Sequence, residues 1–130
     1  MNRKKKAITS WIQLALYCAL IFIQSSFPMP MKQFHHSDKL IHFLAYAVLG
    51  VLVFRALKFL PTGDNVLLRV VMAIVISGLV GVSDEILQVF VPNRTLDRED
   101  LYYDVAGCFS GIMAYILYKL LIRNKDDHPE

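Results

Sequence analysis

Four long apolar runs, separated by short polar connections, set the pattern of this chain. They cover about residues 7–27, 39–60, 66–91 and 101–122. Roughly 20 apolar residues in a helix cross the hydrocarbon core of a bilayer, so each run is a candidate span. Prolines mark the breaks: Pro28 and Pro30 after the first run, Pro61 beside Gly63 after the second, Pro92 after the third. Proline cannot continue a helix. Ser37 or Asp38 is placed to cap the second helix. Short connections make consecutive helices antiparallel, and neither loops nor open sheet edges survive facing lipid. The pattern therefore predicts an all-α fold, an integral membrane antiparallel four-helix bundle forming a single domain over residues 1–130.

Composition agrees. Hydrophobic residues make up 55% and charged residues 19%, too apolar a balance for a soluble domain of this size. The net charge of +3 matters less than its distribution. One side of the expected bundle carries Arg3, Lys4, Lys5, Lys6, Arg55, Lys58, Arg69, Lys119, Arg123 and Lys125; the other carries only Lys32, Lys39, Arg94 and Arg98. The positive-inside rule then places the protein in the plasma membrane with both termini cytoplasmic. A basic start before an apolar run also fits a cleaved signal peptide. The first run is long for that and lacks an A-x-A site before Pro28, so it reads as a span. The basic start also suits contact with anionic lipid. Cys18 and Cys108 lie within apolar runs and form no CxxC pair, so they read as small apolar residues.

The polar residues that interrupt this pattern gather at one level. A helix rises about 1.5 Å per residue. Helix 2 enters from the outer side, with His42 near its first turn and Tyr46 one turn deeper. Helix 3 brings Asp84, Glu85 and Gln88 to its outer end, after the uncharged residues 70–82. Helix 4 has Asp100 at its mouth and Asp104 one turn in. Asp38, His42 and Tyr46 share a face by their spacing of four. Ser77, Gly81, Glu85 and Gln88 follow one stripe, with Asp84 on its flank. Gly107 and Gly111 form a GxxxG that lets another helix approach closely, with Gly78 and Gly81 of helix 3 as expected partners.

Each of these residues has a plain structural reading beside the functional one. Asp38 can orient His42 as a general base, or simply cap the helix. Glu85 can act as a base, or pair with Arg94 or Gln88 as a satisfied buried charge. Arg94 has the planar fork that suits phosphate or carboxylate, or it snorkels at the interface. Asp100 and Asp104 with Glu85 can hold a divalent cation through oxygens, but no HExxH or calcium-loop spacing is present and no metal or cofactor is assigned. Acidic residues early in helix 4 also suit the helix dipole. Tyr102 and Tyr103 fit an interfacial aromatic belt. No GxSxG, P-loop or nucleic-acid module occurs.

Three motifs together carry a resemblance: Asp38-Lys39-x-x-His42-Phe43-x-x-Tyr46, Glu85-x-x-Gln88-x-Phe90-x-Pro92-x-Arg94, and Asp100-x3-Asp104-x2-Gly107-x3-Gly111. In this order the chain resembles the VanZ-like family of small bacterial membrane proteins. The resemblance covers helices 2 to 4. It implies several transmembrane helices and a polar motif set, and the founding member is associated with low-level teicoplanin resistance. The family pattern usually carries Asn at the position of Asp104. A carboxylate there adds charge, which disfavours ionisation of a neighbouring carboxyl or favours a cation.

Two functions of different class follow. The first is a cell-envelope accessory or binding protein whose outward polar site, with Asp38, Lys39, His42, Tyr46, Glu85, Gln88, Arg94, Asp100 and Asp104, engages a lipid head group or a lipid-linked wall precursor. The second is an enzyme acting on a phosphate- or ester-bearing lipid, with His42 or Glu85 as the acid–base group and Arg94 holding the anion. Ion passage is the weakest, because helices 1 and 3 carry no ionisable residue at mid-span. The expected partners are membrane lipids, without nucleic acid.

Overall fold

The computed structural model describes residues 2–28, 35–61, 64–92 and 98–126, with the backbone alone at 35–38 and 124–126. It contains four helices: α1 Arg3–Ser25, α2 His35–Leu57, α3 Val66–Gln88 and α4 Arg98–Asp126. All four are long and apolar enough to cross a membrane. Among the described residues there is no strand.

The helix ends depart from the expected limits for one recurring reason. The residue before a proline is pushed out of helical conformation. Accordingly α1, α2 and α3 stop at Ser25, Leu57 and Gln88, a few residues before Pro28, Pro61 and Pro92. The last residues tighten into shorter turns, with Leu60 N–H bonding the Leu57 carbonyl at 3.1 Å and Val91 N–H the Gln88 carbonyl at 3.0 Å. At the other ends helices run longer. Helix α2 begins at His35, so Ser37 and Asp38 lie inside it and neither is its cap. No proline or glycine separates residues 31 and 38 to stop it there. Helix α4 starts at Arg98 with Glu99 and Asp100 in its first turn, where the helix dipole favours acid. Helix α3 is capped by the Asn65 side chain, which accepts from Leu68 N–H at 3.0 Å.

Consecutive helices run antiparallel, so α2 and α4 are parallel. This parallel pair makes the most extensive helix contact in the bundle. Helix α3 packs on all three others, and α1 packs on α2 and α3 from the side opposite α4. The reason for the tight α2–α4 crossing is the absence of side chains. A Cβ at Gly107 would fall on the Phe43 backbone, 2.9 Å from its carbonyl carbon. One at Gly111 would stand 2.8 Å from the Ala47 carbonyl carbon, and one at Gly50 would meet Cys108 at 2.7–2.9 Å. The GxxxG of α4 thus seats α2 rather than the expected α3. Gly78, expected to pack against it, has no atom within 4 Å of an added Cβ among the described residues. Gly81 does lie against α4, beside Asp104 and Leu101.

The core below this crossing holds Leu49, Val53, Phe54, Leu57, Ala73, Cys108 and Ile112. Helix α1 is tied to it by the Tyr17 hydroxyl, which donates to the Ala45 carbonyl at 3.0 Å. Both cysteines are free, as their reading as small apolar residues requires. The outer faces are apolar on every helix, for example Leu16 and Leu20, Leu44 and Val48, Val75 and Leu79, Phe109 and Leu117. In water such an exterior would drive association; in lipid it is the surface a solvent-matched bundle presents.

Candidate functional site

At the end of the bundle where α2 and α4 begin and α3 finishes, the side chains turn polar and remain buried. Lys39, His42, Asp84, Glu85, Gln88, Asp100 and Asp104 are all buried there, with Tyr46 directly below. The sites align because α2 and α4 enter from the same end. Residues four apart on α2, His42 and Tyr46, therefore meet residues four apart on α4, Asp100 and Asp104, at matching depth. Helix α3 reaches the same level with its last turn.

The centre is His42. Its Nδ1 lies 3.0 Å from Asp104 Oδ1, and its Nε2 lies 3.9 Å from Asp100 Oδ2. Glu85 closes the third side: one ligand atom each from His42, Glu85 and Asp100 lie within 4.8 Å of one another. The His42 and Tyr46 rings are stacked, 6.4 Å between centroids and 10° between planes. On α3 the Gln88 amide donates to Asp84 Oδ2 at 3.4 Å, a long bond. At the mouth Lys39 pairs with Glu99 and its ammonium stands 5.4 Å from the Tyr103 ring. Two buried polar atoms, Tyr46 Oη and Asp104 Oδ2, have no hydrogen-bond partner among the described residues.

The structure thus brings Lys39, His42, Tyr46, Glu85, Gln88, Asp100 and Asp104 together. The Asp38 side chain and Arg94 lie outside the described residues. Among the described residues the carboxylate beside His42 Nδ1 is that of Asp104. Sequence reasoning left three contributors outside the site, although it had placed Asp84 at the polar level. Asp84, set on the flank of α3, is 1% exposed against 5% for Glu85. Its signal was present, because 77, 81, 84 and 88 form one helical stripe and the buried face is wide enough for 85 as well. Glu99 and Tyr103, both at the mouth beside Lys39, were read as dipole and belt residues. The opposite end of the bundle has a separate groove lined by Arg3, Lys6, Lys58, Phe59 and Asp64.

Chemically, the polar end can exchange protons through a carboxylate-oriented imidazole, donate hydrogen bonds from Lys39 and Tyr46, and coordinate a cation through oxygen and nitrogen. Four apolar spans around such a buried polar end define a small multi-pass membrane protein. The chain belongs to the VanZ-like family: the family model described as VanZ/LLP1 matches residues 3–121, nearly the whole chain. No curated protein and no solved structure matches it.

Proposed function

We propose that this is an accessory binding protein of the bacterial cell envelope. Its polar end faces outward from the plasma membrane and engages the head group of a lipid or a lipid-linked wall precursor, with both termini in the cytoplasm. The observation that supports this is the convergence of Lys39, His42, Glu85, Asp100 and Asp104 from three helices at one end of a bundle whose outer faces are apolar. Buried ionisable groups in spanning helices are expensive and mark sites of interaction. The basic residues concentrated at the opposite end support the orientation. A contribution to teicoplanin resistance belongs to the same reading.

One observation favours the second reading, a lipid-directed enzyme. His42 has a carboxylate 3.0 Å from Nδ1, the arrangement that fixes a tautomer for general-base work. Purified protein in lipid nanodiscs, supplied with polyprenyl phosphates and lipid-linked wall precursors, separates the two. Saturable binding without turnover, weakened in Glu85→Gln, supports the binding protein. Product formation abolished in His42→Ala and Glu85→Gln replaces it with the enzyme. Teicoplanin susceptibility of cells with and without the protein tests the resistance role.

A further inference from the structure

The end of the bundle opposite the polar cluster holds most of the basic residues, and some of them converge. Arg3 and Lys6 stand in the first turn of α1, Lys58 and Phe59 just after α2, and Asp64 just before α3. Together they line a groove of about 320 Å³, within the range of about 300–1,000 Å³ that ligand sites occupy. The convergence follows from the topology. Helices α1 and α3 begin at this end and α2 finishes there, and α1 packs on both. The start of α1 is thereby set against the connection from α2 to α3.

The positive-inside rule accounts for basic residues on this side of the membrane. It does not say which of them share a groove. Arg3 and Lys6 are three apart and lie on one helix face, whereas Lys4 and Lys5 of the same turn are not in the lining. The groove cations also differ from their neighbours in what holds them. The Arg69 guanidinium lies 4.2 Å from the centre of the Phe54 ring, and the Lys119 ammonium 5.9 Å from that of Tyr115. Arg3, Lys6 and Lys58 have neither a ring nor an ion pair among the described residues.

Three cations against the single carboxylate of Asp64 leave the lining with two net positive charges. Such charges repel one another. Two of them also stand at the start of α1, whose first turn holds no acid and whose dipole disfavours cations there. A bound anion relieves both effects. Arginine and lysine beside each other suit a phosphate, the first through its planar fork and the second as a compact charge.

The surroundings select the source of that phosphate. The groove lies where the apolar spans start, and Phe59 is part of its wall. The two helices that lead away from it expose apolar residues on their outer faces, Ile8 and Ile12 on α1, Val71 and Val75 on α3. A ligand with an anionic head and hydrocarbon tails matches both parts. We propose that this groove holds the phosphate of one anionic phospholipid, bound by Arg3, Lys6 and Lys58, with its acyl chains against the adjoining spans. The site is at the far end of the bundle from His42 and Glu85, so it stands or falls separately from what the polar cluster binds.

The test uses full-length protein in neutral-detergent micelles, titrated with phosphatidylglycerol, with bound lipid counted by native mass spectrometry. The expected result is one tightly held phosphatidylglycerol per chain and weaker binding of zwitterionic phosphatidylcholine. Two charge-matched double variants separate a groove from diffuse attraction. Lys6→Ala with Lys58→Ala removes two groove cations, and Lys4→Ala with Lys5→Ala removes two beside it. All four side chains are exposed, and circular dichroism checks that the helices persist. A cation near an anionic lipid surface is worth about fivefold wherever it sits, so diffuse attraction weakens both variants alike. The groove predicts an affinity at least tenfold lower in the first pair than in the second. Equal losses in the two pairs overturn the proposal. So does a wild-type protein that shows no one-to-one saturation or that binds phosphatidylcholine equally well. Inorganic phosphate at millimolar concentration should leave the lipid in place; complete displacement makes the groove a site for a free anion and overturns the lipid assignment.

Discussion

Replacing Gly107 with Ala tests the parallel α2–α4 crossing directly. The new methyl carbon would lie 2.9 Å from the Phe43 carbonyl carbon and 3.0 Å from its Cα. Carbon atoms rest comfortably at about 3.5–4.0 Å, and the Phe43 carbonyl oxygen is nearer still, so the helices must separate by about an ångström or more. The atoms in the way are backbone, which no rotamer change can move. Overpacking of this kind costs about 1–3 kcal/mol, or about 5- to 150-fold in the folding equilibrium. Separation at 107 also loosens the contacts at Gly111 with Ala47 and at Gly50 with Cys108. The same motion stretches the His42–Asp104 contact from 3.0 Å toward the limit of a hydrogen bond. The control is Gly78→Ala, where an added Cβ meets no described atom within 4 Å and Ala is the better helix former. Both variants are unfolded in mixed micelles by rising detergent denaturant and followed by circular dichroism. Gly107→Ala should unfold earlier and Gly78→Ala at or above the wild-type midpoint. If the two variants match, the crossing is misplaced.

Three further outcomes are expected. Asp104→Ala leaves a buried imidazole nitrogen without its partner and should cost about 1–3 kcal/mol, whereas Asp104→Asn keeps an acceptor and should cost less; equal losses would argue against the hydrogen bond as the cause. Asn65→Ala removes the cap on Leu68 N–H and should lower stability by about 1 kcal/mol in the same unfolding assay, with no change indicating that the bond is not formed in the membrane. A reporter fused after Asn124 should be cytoplasmic, and an external signal reverses the proposed orientation.

The number and type of helices were legible in the sequence because hydrocarbon imposes long uninterrupted apolar runs. Their exact ends were less so. Apolar residues next to proline, such as Leu60 and Val91, look like helix by composition, yet the following ring excludes them. The polar level was legible from depth counting, since rise per residue is fixed. Partner choice was not. Gly107 and Gly111 announce close approach without naming the helix that approaches, and nothing in its residue type marks Asp104 as the carboxylate beside His42 Nδ1. Helix rotation about its own axis decides such questions, and in lipid that rotation follows from packing against neighbours rather than from an apolar face alone. Asp84 illustrates this: its spacing with 77, 81 and 88 allowed it a place on the buried stripe, but apolar residues on every side of the helix did not show how wide that face is.

The position of the acidic pair on α3 bears on what the cluster is for. Glu99 and Asp100 begin α4, where the positive end of the helix dipole stabilises them by about 0.3–1 kcal/mol each. Asp84 and Glu85 occupy the last turns of α3, and no basic residue lies in its final turn. There the dipole is negative, so the same effect works against them. Burial adds a further cost, because Asp84 and Glu85 have left water almost completely. A bundle selected for stability alone would place apolar side chains on that stretch of α3, as it does on the preceding turns. Carboxylates retained at a helix C-terminus, inside a bundle and opposite Asp100 and Asp104, are tolerable when something positive is shared among them. His42 stands at that shared point, with one nitrogen turned to Asp104 and the other to Asp100.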